Sequence, residues 1–166
     1  MKSGATRKIS RKLKRKQKGV LRKSRNLAIG EKTAEEIKIG VGSALPLEEE
    51  LSMEINGRDM VSGLPRTVTI TSNEIVKAIS KELKEMIAAI KTVFQETPPE
   101  LSSDIIDGGI IMTGGTSQLR NFPELIRRRT GVKAKVADQA LFCVAKGTGI
   151  ALEHLDVYKR AVLTKR

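Results

Sequence analysis

The segment from Asp104 to Leu125, DIIDGGIIMTGGTSQLRNFPEL, constrains the fold more than any other part of the chain. Ile110, Ile111 and Met112 form a short apolar run bounded by glycines, the pattern of a fully buried strand. Thr113-Gly114-Gly115 follows at once. Two glycines there let the backbone turn with positive φ and come close to a ligand. Small polar residues and a Leu-Arg-x-x-Pro stretch open a helix, where free amides can hydrogen-bond polar or anionic ligand atoms. Gly-Gly is also common turn punctuation, so the segment alone fits an ordinary strand-to-helix turn as well.

The elements around it are legible from periodicity. Thr33-Ala34-Glu35-Glu36 reads as a capping box with Thr33 as N-cap, opening a helix to about Val41. Glu35 and Lys38 lie three apart on one face of that helix, a spacing that also suits a plain solvated ion pair. From Leu47 to Ile55 the residues alternate, with Leu51, Met53 and Ile55 on one side, and Asn56-Gly57 is a two-residue hairpin signal. Arg58–Val61 would return antiparallel, and Arg66–Thr71 would make a third strand. A second capping signal, Thr71-Ser72-Asn73-Glu74, starts a long amphipathic helix that Thr97-Pro98-Pro99 ends. Residues 123–129 read as a helix closed by Gly131, with three arginines in its last turn, where the dipole favours them and where a phosphate could also bind. A short strand over 132–136 and a helix over 141–155 complete the chain. Gly147 and Gly149 inside that helix cost propensity, which implies close packing on a neighbour.

Charge divides the chain into two parts. Twelve of its 31 Lys/Arg fall in residues 1–25, which hold no acid, and the rest is formally neutral. Residues 1–19 carry few apolar side chains and read as disordered or as a fraying helix. Such an arm can adhere to phosphate-rich partners, so a nucleic-acid-binding protein is one reading. The neutral body and the scarcity of aromatic residues argue against it. With three Phe, one Tyr and no Trp, the core is aliphatic, and 166 residues suit one ordinary domain. The single Cys143 makes no internal disulfide and points to the cytosol. No run approaches the ~20 apolar residues of a membrane span, and the basic start lacks the apolar stretch of a secretory signal. His154, the only histidine, has no metal-ligand partner at a suitable spacing and reads as a surface residue.

A strand, then Thr-Gly-Gly-small, Leu and a Pro-containing helix start, resembles the adenosine-side loop of the actin, chaperone and sugar-kinase superfamily. Residues 29–153 resemble the C-terminal part of the MreB family of bacterial actins. The segments that match are IGEKTAEEIK, GSALPLEEEL, INGRDMVSGLPRTVTITSNEI, TPPELSSDIID, GGIIMTGGTSQLRN and CVAKGTGIALE, in family order and at family spacing. Where the family has a third glycine and then alanine, this chain has Thr116 and Ser117.

The resemblance implies a partial α/β fold of the actin-like (ribonuclease H-like) ATPase kind. Residues 20–45 and 73–155 would form part of subdomain IIA, and residues 46–72 the small inserted subdomain IIB. Residues 1–19 would be a non-family tail left by truncation or frame shift, and 156–166 a second tail. The cofactor implied is ATP, as Mg-ATP in the intact family. It would be contacted by Glu35, Glu36, Ile37 and Lys38, and by Gly114, Gly115, Thr116 and Ser117. Of these, Glu35 and Lys38 would bracket the ribose and adenine. The family forms filaments in the cytoplasm at the inner face of the membrane and works with membrane-associated wall-synthesis proteins. Its two phosphate loops, D-x-G-T and D-x-G-G-G-T, do not occur in this sequence, so no catalytic or metal-binding residue is assigned. A sugar kinase of the same superfamily would need those loops and a sugar pocket, and the sequence shows neither.

Overall fold

The computed structural model describes residues 3–158, with side chains from residue 11 onward. The chain begins with helix α1 (Ser3–Arg25), followed by β1 (Leu27–Ala28) and α2 (Glu31–Gly40). Strands β2 (Ser52–Asp59) and β3 (Pro65–Thr71) lead into the long helix α3 (Ser72–Gln95). Then come α4 (Pro99–Gly108), β4 (Ile110–Met112), a 3₁₀ turn (Gly115–Gln118), α5 (Phe122–Thr130), β5 (Ala134–Val136) and α6 (Cys143–Glu153).

Helix α3 follows the expectation closely. Thr71 is its N-cap in a reciprocal capping box with Glu74, and Ile75, Val76, Ile79, Leu83 and Ile87 are its buried stripe. Helix α5 ends as expected at Gly131, in the left-handed region. Helix α4 was not read from the sequence. It starts with Pro99 at a first-turn position and buries no residue, so it shows no apolar stripe to find.

The first correction concerns residues 1–19. Of the two alternatives, disorder or a fraying helix, the described part is helical, and it is not a separable arm: Ser3–Arg25 is a helix, and from residue 11 its side chains pack. Leu13, Gln17 and Leu21, four apart and so on one face, are buried against the rest of the protein. Its basic residues pair with acids on both neighbouring helices. Lys12, Lys16 and Arg25 meet Glu85, Glu82 and Glu74 of α3, while Lys14 and Lys18 meet Glu35 and Glu31 of α2. Exposed pairs each contribute at most about 1 kcal/mol, whereas burying a leucine contributes about 1.5–3 kcal/mol. The apolar spine therefore holds the helix, and the charges set its direction, antiparallel to α3. Gln17 and Glu82 are buried with side-chain atoms that find no hydrogen-bond partner among the described residues. The segment's end at 156–166 is described only to Tyr158; the remainder lies outside the described residues.

The second correction is the hairpin. Asn56-Gly57 is not a turn, because β2 runs straight through it, with Asn56 opposite Thr67 and Gly57 opposite Arg66. A Cβ on Gly57 would lie 2.7 Å from Leu27 Cγ and 2.8 Å from the Ala28 carbonyl oxygen. The glycine therefore admits β1 alongside β2, where Leu27 pairs with Asp59. The chain actually reverses after Asp59. Its Oδ1 accepts the amides of Val61 and Ser62, both at 2.9 Å, and its Oδ2 accepts from Arg66 at 3.0 Å. The sheet order is β1-β2-β3, all antiparallel, in place of a meander within residues 47–71.

Two further differences bear on the site. Helix α2 starts at Glu31, with Gly30 as N-cap and no side-chain cap, so Thr33 lies inside the helix. The amide of Ala34 already bonds the Gly30 carbonyl at 3.1 Å, which closes the first turn before Thr33 can cap it. Strand β4 is not fully buried: it pairs in parallel with β5 alone, and Ile111 is 60% exposed. Helix α6 likewise buries no residue, and a Cβ on Gly147 or Gly149 would meet nothing within 4 Å. Their expected close packing is absent among the described residues.

Candidate functional site

Two segments are brought together by a main-chain bridge. Just after α2, the amide of Ala44 donates to the Arg120 carbonyl at 2.8 Å, which ties residues 43 and 120 in parallel. Behind the bridge, Gly114 has φ 84, a conformation that glycine adopts without strain. Its amide donates to the Ala140 carbonyl at 2.7 Å. That bond draws the segment before α6, with Leu141, toward the same place. The last turns of α2 and the loop after β4 thus form two sides of one cleft of about 390 Å³.

Glu35, Lys38 and Gly115 line this cleft together. The Lys38 ammonium donates to the Glu35 carboxylate, and Lys14 of α1 reaches the other oxygen at 3.1 Å. Partial burial pushes the Glu35 pKa up, but hydrogen bonds from Lys38 and Lys14 outweigh it and hold the group below the ordinary value. The carboxylate is therefore an acceptor at neutral pH, and the ammonium beside it keeps donors to spare.

The other expected residues separate from this group. Ile37 is wholly buried in the core, and Glu36 faces solvent near Lys32. Thr116 and Ser117 turn inward and line a different cavity, of about 240 Å³, against α3 and α5. The Ser117 hydroxyl donates back to the Gly114 carbonyl at 2.6 Å, so it shapes the loop. Arg127 and Arg128 are committed to Glu124, whose pKa their hydrogen bonds lower to about 2.

Sequence reasoning missed Ile39, Gly42, Gln118, Leu119, Arg120 and Leu141, which complete the lining. Arg120 was within reach, since it follows the Thr-Gly-Gly loop directly. Lys14 was not, because nothing local in a run of bases marks the one that meets Glu35. Chemically the cleft offers apolar walls, one acceptor and several donors, a set suited to a flat heterocycle bearing hydroxyl groups. Among the described residues no three His, Cys, Asp or Glu side chains stand close enough to hold a metal ion. No helix there is long and apolar enough to cross a membrane.

Comparison with known proteins agrees with this architecture. The family model for MreB/Mbl protein matches residues 11–160, so the match begins inside the segment expected to lie outside the family. Cell shape-determining protein Mbl of Bacillus cereus is 45% identical over 143 residues, covering 86% of this chain and 43% of that protein. Cell shape-determining protein MreB of Escherichia coli is 41% identical over 138 residues, covering 83% of this chain and 40% of the relative. Among solved structures, MreB5 of Spiroplasma citri bound to AMPPNP superposes with a TM-score of 0.84 at 32% identity, over 93% of this chain and 46% of that one. The MamK double helical filament, at 18% identity and a TM-score of 0.59, shares the fold. The chain spans less than half the length of these relatives.

Proposed function

The chain belongs to the MreB/Mbl family, and we propose that its cleft is the adenosine side of an ATP site in a filament-forming, cell shape-determining protein. One observation carries this reading. Glu35, Lys38 and Gly115 line one cleft, in a chain that superposes on a relative solved with AMPPNP. The residues fit a nucleoside. The Glu35 carboxylate would accept from a ribose hydroxyl, Lys38 would donate to ribose or base, and Ile39, Leu119 and Leu141 would flank the ring. ATP, when bound, would bring a triphosphate to the open side of this cleft. This chain's residues hold and orient its adenosine end. Residues 20–45 and 73–155 are read as subdomain IIA, now extended backward by α1, and residues 46–72 as subdomain IIB. The family resemblance further supports self-association into filaments at the inner face of the membrane, with wall-synthesis proteins as partners.

Titration calorimetry with adenosine, ATP and guanosine tests the site. Adenosine and ATP should bind within a few-fold of each other, with Kd on the order of a millimolar. Glu35→Ala and Lys38→Ala should each weaken binding about tenfold, or about 1.4 kcal/mol. Equal binding of guanosine, or indifference to both substitutions, would overturn the assignment. Against the nucleic-acid reading, five cations of α1 face acids of α2 and α3 and are thereby drawn away from a phosphate backbone.

A further inference from the structure

A second cleft, of about 410 Å³, lies between α3 and α5 on a different part of the surface. Its floor is apolar, formed by the buried Ala44, Leu83, Ile87 and Leu125. Its rim is cationic: Lys84 and Lys91 stand on the α3 wall and Arg129 on the α5 wall, all exposed. No carboxylate lines it. The adjacent Arg127 and Arg128, by contrast, are held by Glu124. None of the three rim cations forms an ion pair among the described residues.

We propose that this groove docks an acidic amphipathic helix from a partner protein. The α3 wall runs from Ser80 to Lys91, about 16 Å at the helical rise, which matches three turns of a bound helix. Leu83 and Ile87 are one turn apart on the floor, the spacing at which a partner helix presents its anchors. The charges favour a polymer over a small anion. Lys84 and Lys91 are seven residues apart, about 10 Å along the axis, and cannot converge on one phosphate or carboxylate. They suit separate Asp or Glu side chains flanking an apolar stripe, with Arg129 meeting the opposite flank. A concave apolar floor also cannot rest against the flat face of a bilayer.

The test uses the full chain and a fluorescein-labelled helical peptide of about fourteen residues, with leucines three and four apart and glutamates beside them. Anisotropy should show saturable binding that weakens with added salt. The double variant Lys84→Glu/Lys91→Glu should lose at least about tenfold in affinity. Ala88→Trp, which fills the exposed middle of the groove, should do the same by a route independent of charge. Both variants change exposed positions, so their melting curves should match the parent's. The proposal is overturned if no saturable binding occurs, if both variants bind like the parent, or if a lysine-flanked peptide binds as well. It is also overturned if phosphatidylglycerol vesicles displace the peptide, which would make the groove a membrane site.

Discussion

At Gly57 the absence of one methyl group sets how three strands meet. The Asn-Gly pair favours a tight turn when judged by its own propensity, and the chain overrides that preference for a tertiary reason. Leu27, fully buried, sits where a Cβ on residue 57 would be. Nothing near residue 57 in sequence announces this, because the partner is thirty positions away. Gly57→Ala should therefore cost about 3 kcal/mol, the upper end for overpacking against backbone and core. A lowered urea midpoint with unchanged slope would show it; an unchanged midpoint would mean that β1 does not pack there. The true turn is written in Asp59, whose amide acceptor bonds from Ser62 and Val61, together with Arg66, lower its pKa from 3.8 to about 2. A lowered carboxylate pKa stabilises the fold above the unfolded value and loses that contribution as pH falls through the folded one. Hydrogen exchange at Val61 and Ser62 should thus speed up, beyond its intrinsic pH trend, between pH 3.8 and about 2. In Asp59→Asn that extra acceleration should be absent.

Among the elements, legibility followed the density of the apolar stripe. Helix α3 repeats its apolar positions over six turns and carries a reciprocal capping box, so pattern and cap agree. Helix α1 is nearly as long, yet its buried stripe in the described side chains is Leu13, Gln17 and Leu21 between many bases. Composition marks such a segment as disordered, but composition does not contain the acids of α2 and α3 that receive its lysines. Removing residues 1–19 deletes Leu13 and uncovers the α2–α3 seam, where a single buried Leu→Ala change costs about 2–5 kcal/mol. For a chain of this size that is a fall in melting temperature on the order of 10 °C. Differential scanning calorimetry decides it: an unchanged transition would return the segment to the status of a tail. The candidate cleft was legible in half. Glu35, Lys38 and Gly115 follow from the family resemblance of their segments, whereas Leu141 reaches the cleft through the Gly114–Ala140 bond, a contact without local signature.

For the whole molecule, the exposed apolar residues matter more than the buried ones. Phe142, the N-cap of α6, is 58% exposed, Val144 on α6 is 72% exposed and Ile111 on β4 60%, so both elements present apolar side chains to solvent. Surfaces of that kind associate. They do so without regard to nucleotide, whereas growth of a nucleotide-dependent filament needs two different complementary surfaces on each subunit. Phosphoryl transfer, in turn, depends on positioned donors at the transferring group, each worth roughly 3 kcal/mol. The sequence carries neither phosphate loop that its family resemblance implies, and among the described residues the cations lining the cleft are Lys38 and Arg120. The chain by itself should therefore release no phosphate from Mg-ATP above a protein-free blank. Its sedimentation should rise with concentration and stay the same with or without Mg-ATP. Phe142→Ser/Val144→Ser should reduce that association while leaving adenosine binding in place, because neither residue lines the cleft. Steady phosphate release, or pelleting that appears only with Mg-ATP, would mean that these 166 residues contain a complete phosphate site and both filament surfaces.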